Sequence, residues 1–123
     1  MNIDRLLPNL CTNDLAASKK FYTSLFALEV NYDSDWFVHL RSEGGQWELG
    51  LIAESHDIVP ETARGQRSGF YLTFVVADVD DLFTKVQKLG YEVMQAPETT
   101  FYGQKRMLIV APEGTVCDLS SPT

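Results

Sequence analysis

The stretch that most constrains the fold is Thr73 to Val93, TFVVADVDDLFTKVQKLGYEV. Thr73-Phe74-Val75-Val76 is β-branched and aromatic, which suits a pleated, buried strand. Asp78 follows, placed to accept from the free amides of a helix opening at Val79. Asp80 and Asp81 add negative charge at the positive end of that helix's dipole. Val79, Leu82, Phe83, Val86 and Leu89 recur at helical spacing and predict one apolar stripe. Gly90 supplies the left-handed residue that ends a helix. Tyr91 and Val93 then resume a strand pattern.

The same grammar occurs earlier, from Asn9 to Val30. Asp14 stands 64 residues before Asp78 in the same strand-to-helix position. Leu15, Ser18, Phe21, Tyr22, Leu25 and Phe26 form the stripe, with Ser18 its weak member. Glu29-Val30 is echoed by Glu92-Val93, 63 residues on. Self-similarity of this period predicts two copies of one supersecondary unit.

The first unit is expected over residues 4–54: a strand at Leu6 to Thr12, a helix at Leu15 to Phe26, then strands at Glu29 to Tyr32, Trp36 to Leu40 and Gln46 to Ile52. Glu43-Gly44-Gly45 is a hairpin turn signal between the last two. Ser55 to Ser68 is polar, holds Pro60 and Gly65, and reads as a linker. The second unit, residues 69–121, repeats the order: strand Phe70 to Val76, helix Val79 to Leu89, strand Tyr91 to Gln95, a loop over Ala96 to Thr100, strand Gln104 to Val110, turn Ala111 to Gly114, and strand Thr115 to Leu119. The chain of 123 residues is then a single α+β domain. Two tandem βαβββ units form a cup-shaped, eight-stranded mixed sheet with helices outside.

Composition narrows the partners. A formal net charge of −7 repels phosphate backbones and anionic lipid surfaces, so neither nucleic acid nor membrane is expected. No run approaches the length of a membrane span, and no signal peptide is visible. Cys11 and Cys117 fit no ligand-pair spacing and read as reduced thiols in a cytoplasmic protein.

The ensemble of marks resembles the vicinal oxygen chelate superfamily, which includes glyoxalase I, bleomycin-resistance and fosfomycin-resistance proteins and extradiol dioxygenases. The marks are Asn13-Asp14-Leu15, Ser18 and Phe21-Tyr22 in the first unit, and Val76-Ala77-Asp78-Val79 in the second. Tyr102-Gly103-Gln104 followed by Pro112-Glu113-Gly114 adds a third. Ala27 stands where a glycine is usual, Ala111 replaces the usual Asp, and Lys105 takes the usual Arg place. The resemblance implies a homodimer. It also implies four inward metal ligands in the metalloenzymes, mainly His and Glu. The corresponding positions here read Leu7, Glu48, Tyr71 and Asp118. Leucine cannot ligate, a neutral tyrosine is a poor ligand, and no imidazole is present. The expected chain therefore has no metal, no other cofactor and no catalytic residue. If a metal were held, His39, Glu48 and Asp118 would be the set.

Strand alternation selects the inward residues. Leu7, Asn9 and Cys11 face in while Leu10 meets the helix. Tyr71, Thr73 and Val75 face in while Leu72, Phe74 and Val76 pack the helix. His39 lies opposite Val38 and Leu40, as a structural residue, a ligand donor or a base; His56 is a linker residue. The predicted ligand pocket comprises Asn9, Cys11, His39, Glu48, Tyr71, Thr73, Tyr102 and Asp118. Glu48 and Asp118 read either as a carboxylate pair that binds a cationic group or serves as acid and base with split pKa values, or as acceptors for strand-edge amides, Tyr71 or a cavity water. Two such groups near each other would raise the pKa of at least one. Trp36, Trp47 and Tyr102 are candidate walls or core residues, and Lys105 and Arg106 candidate rim cations or solvated charges. The leading functional expectation is a metal-free protein that binds a small molecule, such as a drug or metabolite. The alternatives are a metal-dependent, glyoxalase-like lyase or isomerase and a non-catalytic interaction module.

Overall fold

The structure, a computed structural model, describes residues 1–65 and 69–123. The chain divides into two compact units, Met1–Gln66 and Arg67–Thr123. Unit 1 runs β1 (Asn9–Thr12), α1 (Leu15–Phe26), β2 (Glu29–Asp33), β3 (Phe37–Arg41) and β4 (Glu48–Ala53). Unit 2 runs β5 (Leu72–Val75), α2 (Val79–Leu89), β6 (Glu92–Thr99), β7 (Gln104–Val110) and β8 (Val116–Pro122). The expected α+β fold of two tandem βαβββ units is therefore observed, with both helices starting and ending at the expected residues.

Each unit holds a four-stranded mixed sheet, ordered β1-β4-β3-β2 in one and β5-β8-β7-β6 in the other. In both, the strand before the helix pairs in parallel with the last strand, and the remaining pairs are antiparallel. In each unit the connection between the two parallel strands runs through the helix and the two intervening strands.

The helices form for the reasons their sequences give. Asp14 accepts from Ala17 N at 3.0 Å, and Asp78 accepts from Asp80 N and Asp81 N at 3.0 and 3.2 Å. Gly90 takes the left-handed conformation with φ 78°, and its N–H returns to Gln87 O. α1 closes on Ala27 at φ 52°, the one positive-φ residue other than glycine among the described residues.

One face of each sheet is buried under its helix. α1 lies on β3 and β4, where Leu10, Val38, Leu40, Leu49 and Leu51 meet Phe21, Tyr22 and Leu25. α2 lies on β6, β7 and β8, with Val79 and Val86 among Met107, Ile109, Cys117 and Leu119. Ser18, the weak member of the first stripe, is fully buried because its hydroxyl pairs with Thr12 Oγ1 at 2.9 Å. Leu89, expected in the second stripe, is exposed at the helix end.

Strand boundaries differ from expectation by three residues or more at three places. β1 begins at Asn9 and not at Leu6, because Pro8 has no N–H to give a ladder, although its carbonyl accepts from Gly50 N. β6 continues to Thr99 through the expected loop at Ala96 to Thr100. It is an edge strand with register irregularities after Val93 and Gln95, and an edge tolerates Pro97. β8 runs on to Pro122. The linker carries a 3-10 turn at Glu61–Ala63, and its last residues, Gln66, Arg67 and Ser68, lie outside the described residues.

Candidate functional site

The face of the unit 1 sheet opposite α1 carries a polar cluster built from three adjacent strands. Register fixes its members: His39 lies opposite Gly50 on β4 and opposite Tyr32 on β2, while Arg41 lies opposite Glu48. The irregularity between Val30 and Tyr32 sets Asn31 beside His39. Asn31 Nδ2 is 3.0 Å from His39 Nδ1, and His39 Nε2 is 2.5 Å from Glu48 Oε1. With the Asn31 amide donating, the ring proton sits on Nε2 and donates to Glu48. His39 is buried, so this chain of bonds satisfies both its nitrogens.

Arg5 closes the cluster from the segment before β1. Its Nε–H and Nη2–H donate to Glu48 Oε2 and Oε1 at 2.7 and 2.6 Å, a two-point fork, and Nη2 also lies 3.1 Å from His39 Nε2. The hydrogen bonds from Arg5 and then His39 hold the Glu48 carboxyl down to about 2, against an ordinary 4.5. The same hydrogen bond raises Arg5 above its ordinary range. Glu48 is thus lowered and not raised, because a guanidinium and an imidazole donate to it. A carboxylate held this low is a poor general base near neutral pH.

Beside the cluster the face turns apolar. A Cβ on Gly50 would meet Asn9 Oδ1 at 2.2 Å and the Phe37 ring at 2.9 Å, so the glycine lets these two side chains close over β4. Phe37 continues into Tyr32 and Trp36, with ring centroids 6.2 and 5.7 Å away. Trp36 stacks on His56 at 4.1 Å, so the linker histidine holds an aromatic partner. Cys11 lies opposite Ile52, one step along from Asn9 opposite Gly50.

Unit 2 carries a different cluster. Thr73 Oγ1 donates to Asp118 Oδ2 at 3.1 Å and Ser120 Oγ donates to Oδ1 at 2.7 Å. Arg106 Nε is 3.3 Å from Oδ1, an ion pair by distance, and its guanidinium lies 6.0 Å from the Tyr71 ring centroid. Asp118 is buried, and its donors are the hydroxyls of Thr73 and Ser120, where the sequence suggested strand-edge amides, Tyr71 or a water. Lys105 pairs with Asp80 of α2 at 2.7 Å. Tyr102 stands apart from Asp118 on the exposed β6–β7 turn, edge-on to Phe101 at 5.2 Å. Trp47 is partly exposed ahead of β4.

The two carboxylates, alike in the sequence reading, occupy different levels of their sheets. Asn9 and Thr73 each precede their helix cap by five residues. Asn9 lies opposite Gly50, whereas Thr73 lies opposite Asp118. The counterpart of Asp118 is therefore Gly50, and Glu48 sits two residues earlier, about 7 Å along the strand.

These residues do not fit the metal that the resemblance implies. Leu7 has no donor, Glu48 has both oxygens on Arg5 and one on His39, and Asp118 is engaged by Thr73, Ser120 and Arg106. His39 and Glu48 touch within unit 1. Among the described residues, no group of three or more His, Cys, Asp or Glu side chains is gathered to hold a metal ion. A groove of about 320 Å³ lined by Leu15, Lys19, Asp33, Asp35 and Val38 lies at the start of α1 and shares no residue with either cluster.

Arg5, Asn31, Tyr32 and Phe37 are site residues that sequence reasoning did not assign. Arg5 shares the parity of Leu7, Asn9 and Cys11, and that signal was available. Asn31 owes its place to a register irregularity that no alternation announces.

A duplicated βαβββ chain with polar clusters on the faces opposite its helices defines a class of small α+β proteins. Within that class, the chain belongs to the Glyoxalase/Bleomycin resistance protein/Dioxygenase superfamily, whose model matches residues 2–118. Among solved structures, a glyoxalase/bleomycin resistance protein/dioxygenase family enzyme from Burkholderia phytofirmans is 25% identical, with TM-score 0.79 over 95% of this chain and 97% of that one. A lactoylglutathione lyase from Agrobacterium tumefaciens is 21% identical, with TM-score 0.75 over 98% and 95%. A fosfomycin resistance protein from Listeria monocytogenes is 16% identical, with TM-score 0.77 over 100% and 96%. The last two likenesses show the fold alone. No match was found among curated proteins. No helix among the described residues is long and apolar enough to cross a membrane.

Proposed function

We propose that this chain is a small-molecule-binding member of the superfamily that works without a bound metal, as a cytoplasmic homodimer holding a drug or metabolite. One observation carries the reading: the Glu48 carboxylate, at one of the ligand positions that the resemblance implies, has both oxygens on the Arg5 guanidinium. A cation would have to displace a two-point, charge-assisted contact to reach it. The mixed character of the unit 1 face also supports a ligand. It pairs a few fixed polar groups with the aromatic run Tyr32, Phe37 and Trp36.

Elemental analysis of the purified protein tests the metal-free part, and well under one transition ion per chain is expected. A thermal-shift screen against small molecules tests the binding part, since a ligand of the folded state raises the midpoint. No hit across cationic, anionic and neutral sets would favour the interaction module. A second reading, a metal-dependent lyase or isomerase, is favoured by the 2.5 Å contact between His39 and Glu48. It requires Arg5 to leave first, and about one ion per chain would support it.

A further inference from the structure

The strand-borne part of the unit 1 cluster is a formed receptor, and the group that fills it comes from outside the sheet. Glu48, His39 and Asn31 stand on β4, β3 and β2, three strands hydrogen-bonded side by side. Arg5 lies in a stretch without regular secondary structure, exposed from Met1 to Leu6. That stretch is tied to the sheet at Pro8, whose carbonyl accepts from Gly50 N at 2.8 Å. The Arg5 side chain is 60% exposed while that of Glu48 is 18% exposed. The partner that fills the receptor is thus the exposed one, and the receptor itself is the sheltered one.

The contact has a specific shape. Two parallel N–H groups of one planar cation meet two oxygens of one carboxylate, and His39 Nε2–H anchors Oε1 from the side. A guanidinium or amidinium presents this fork, whereas an ammonium is a point charge that cannot reproduce it.

We infer that Glu48, backed by His39 and Asn31, is a recognition site for the guanidinium or amidinium group of a ligand, and that Arg5 is an internal competitor which such a ligand displaces. The inference rests on the metal-free reading of the same site. An internal competitor acts at a high effective concentration and lowers the apparent affinity for an outside ligand in proportion to the fraction of time it fills the site. Phe37 and Tyr32, on the same face, offer a flat apolar surface to the rest of the ligand.

The test is a calorimetric titration of the wild-type chain, Arg5→Ala and Arg5→Ala/Glu48→Gln with methylguanidinium, and with tetramethylammonium as a control. Methylguanidinium is expected to bind Arg5→Ala at least ~10-fold more tightly than the wild type, and the double variant to lose that gain. Tetramethylammonium should bind all three alike. Equal methylguanidinium affinity in wild type and Arg5→Ala, or a gain that survives Glu48→Gln, overturns the inference. If Arg5→Ala does not fold, Arg5→Lys takes its place. Its single ammonium leaves the fork incomplete, so tighter methylguanidinium binding than in wild type is again expected, and its absence is again fatal. Stoichiometric metal in the wild type would instead sink the metal-free reading, a separate measurement with a separate outcome.

Discussion

Glu48 shows how one contact sets the character of a site. Its pKa is lower in the folded chain than the ordinary carboxylate value, so its interactions stabilise the fold wherever the unfolded group is ionised. That contribution is complete above about pH 4.5 and is lost as pH falls through about 2. The gap in thermal midpoint between wild type and Glu48→Gln should therefore be widest near neutral pH and close in acid, as read by calorimetry across that range. A gap unchanged at low pH would mean that Arg5 and His39 do not hold the carboxylate. Gly50 is a second residue whose identity is enforced. An added methyl meets Asn9 and the Phe37 ring, and Gly50→Ala is expected to destabilise by about 1–3 kcal/mol in denaturant unfolding. His39 was legible from alternation alone, because period two puts it opposite Val38 and Leu40. Arg5 shares the parity of Leu7, Asn9 and Cys11, but its segment precedes the strand, and parity alone does not show that the side chain reaches Glu48.

The helices were the most legible elements, and their ends explain why. An aspartate cap, a 3.6-residue stripe and a left-handed stop all point to the same boundaries, and the structure uses them all. The caps carry measurable weight. Asp78 accepts from two amides, so Asp78→Ala should cost about 1 kcal/mol in equilibrium unfolding. Ala27 sits left-handed at φ 52°, where an alanine is strained and a glycine is not. Ala27→Gly is expected to stabilise by about 0.5–1 kcal/mol, the relief of strain exceeding the added freedom of the unfolded chain. A loss of stability there would show that the left-handed turn is not under strain. Strands were less legible at their ends. β6 runs through Pro97 because an edge strand need not donate on its open side, and no local pattern distinguishes that from a loop.

At the scale of the whole chain, duplication explains the topology but not the chemistry. The repeat aligns the strands before the helices, and so Asn9 with Thr73. It does not set the register of the last strands, which depends on the intervening connections. Hence Asp118 matches Gly50, and the two carboxylates that looked equivalent belong to two unlike clusters, one closed by Arg5 and the other by Thr73, Ser120 and Arg106. The halves share a scaffold, and the substitutions on it have taken them apart. The central claim is that a guanidinium stands where a metal ion would need its carboxylate. The most direct test is calorimetric titration of Zn²⁺ and Ni²⁺ into the wild-type chain. No stoichiometric binding is predicted; one ion bound per chain, and lost on Glu48→Gln, would contradict it.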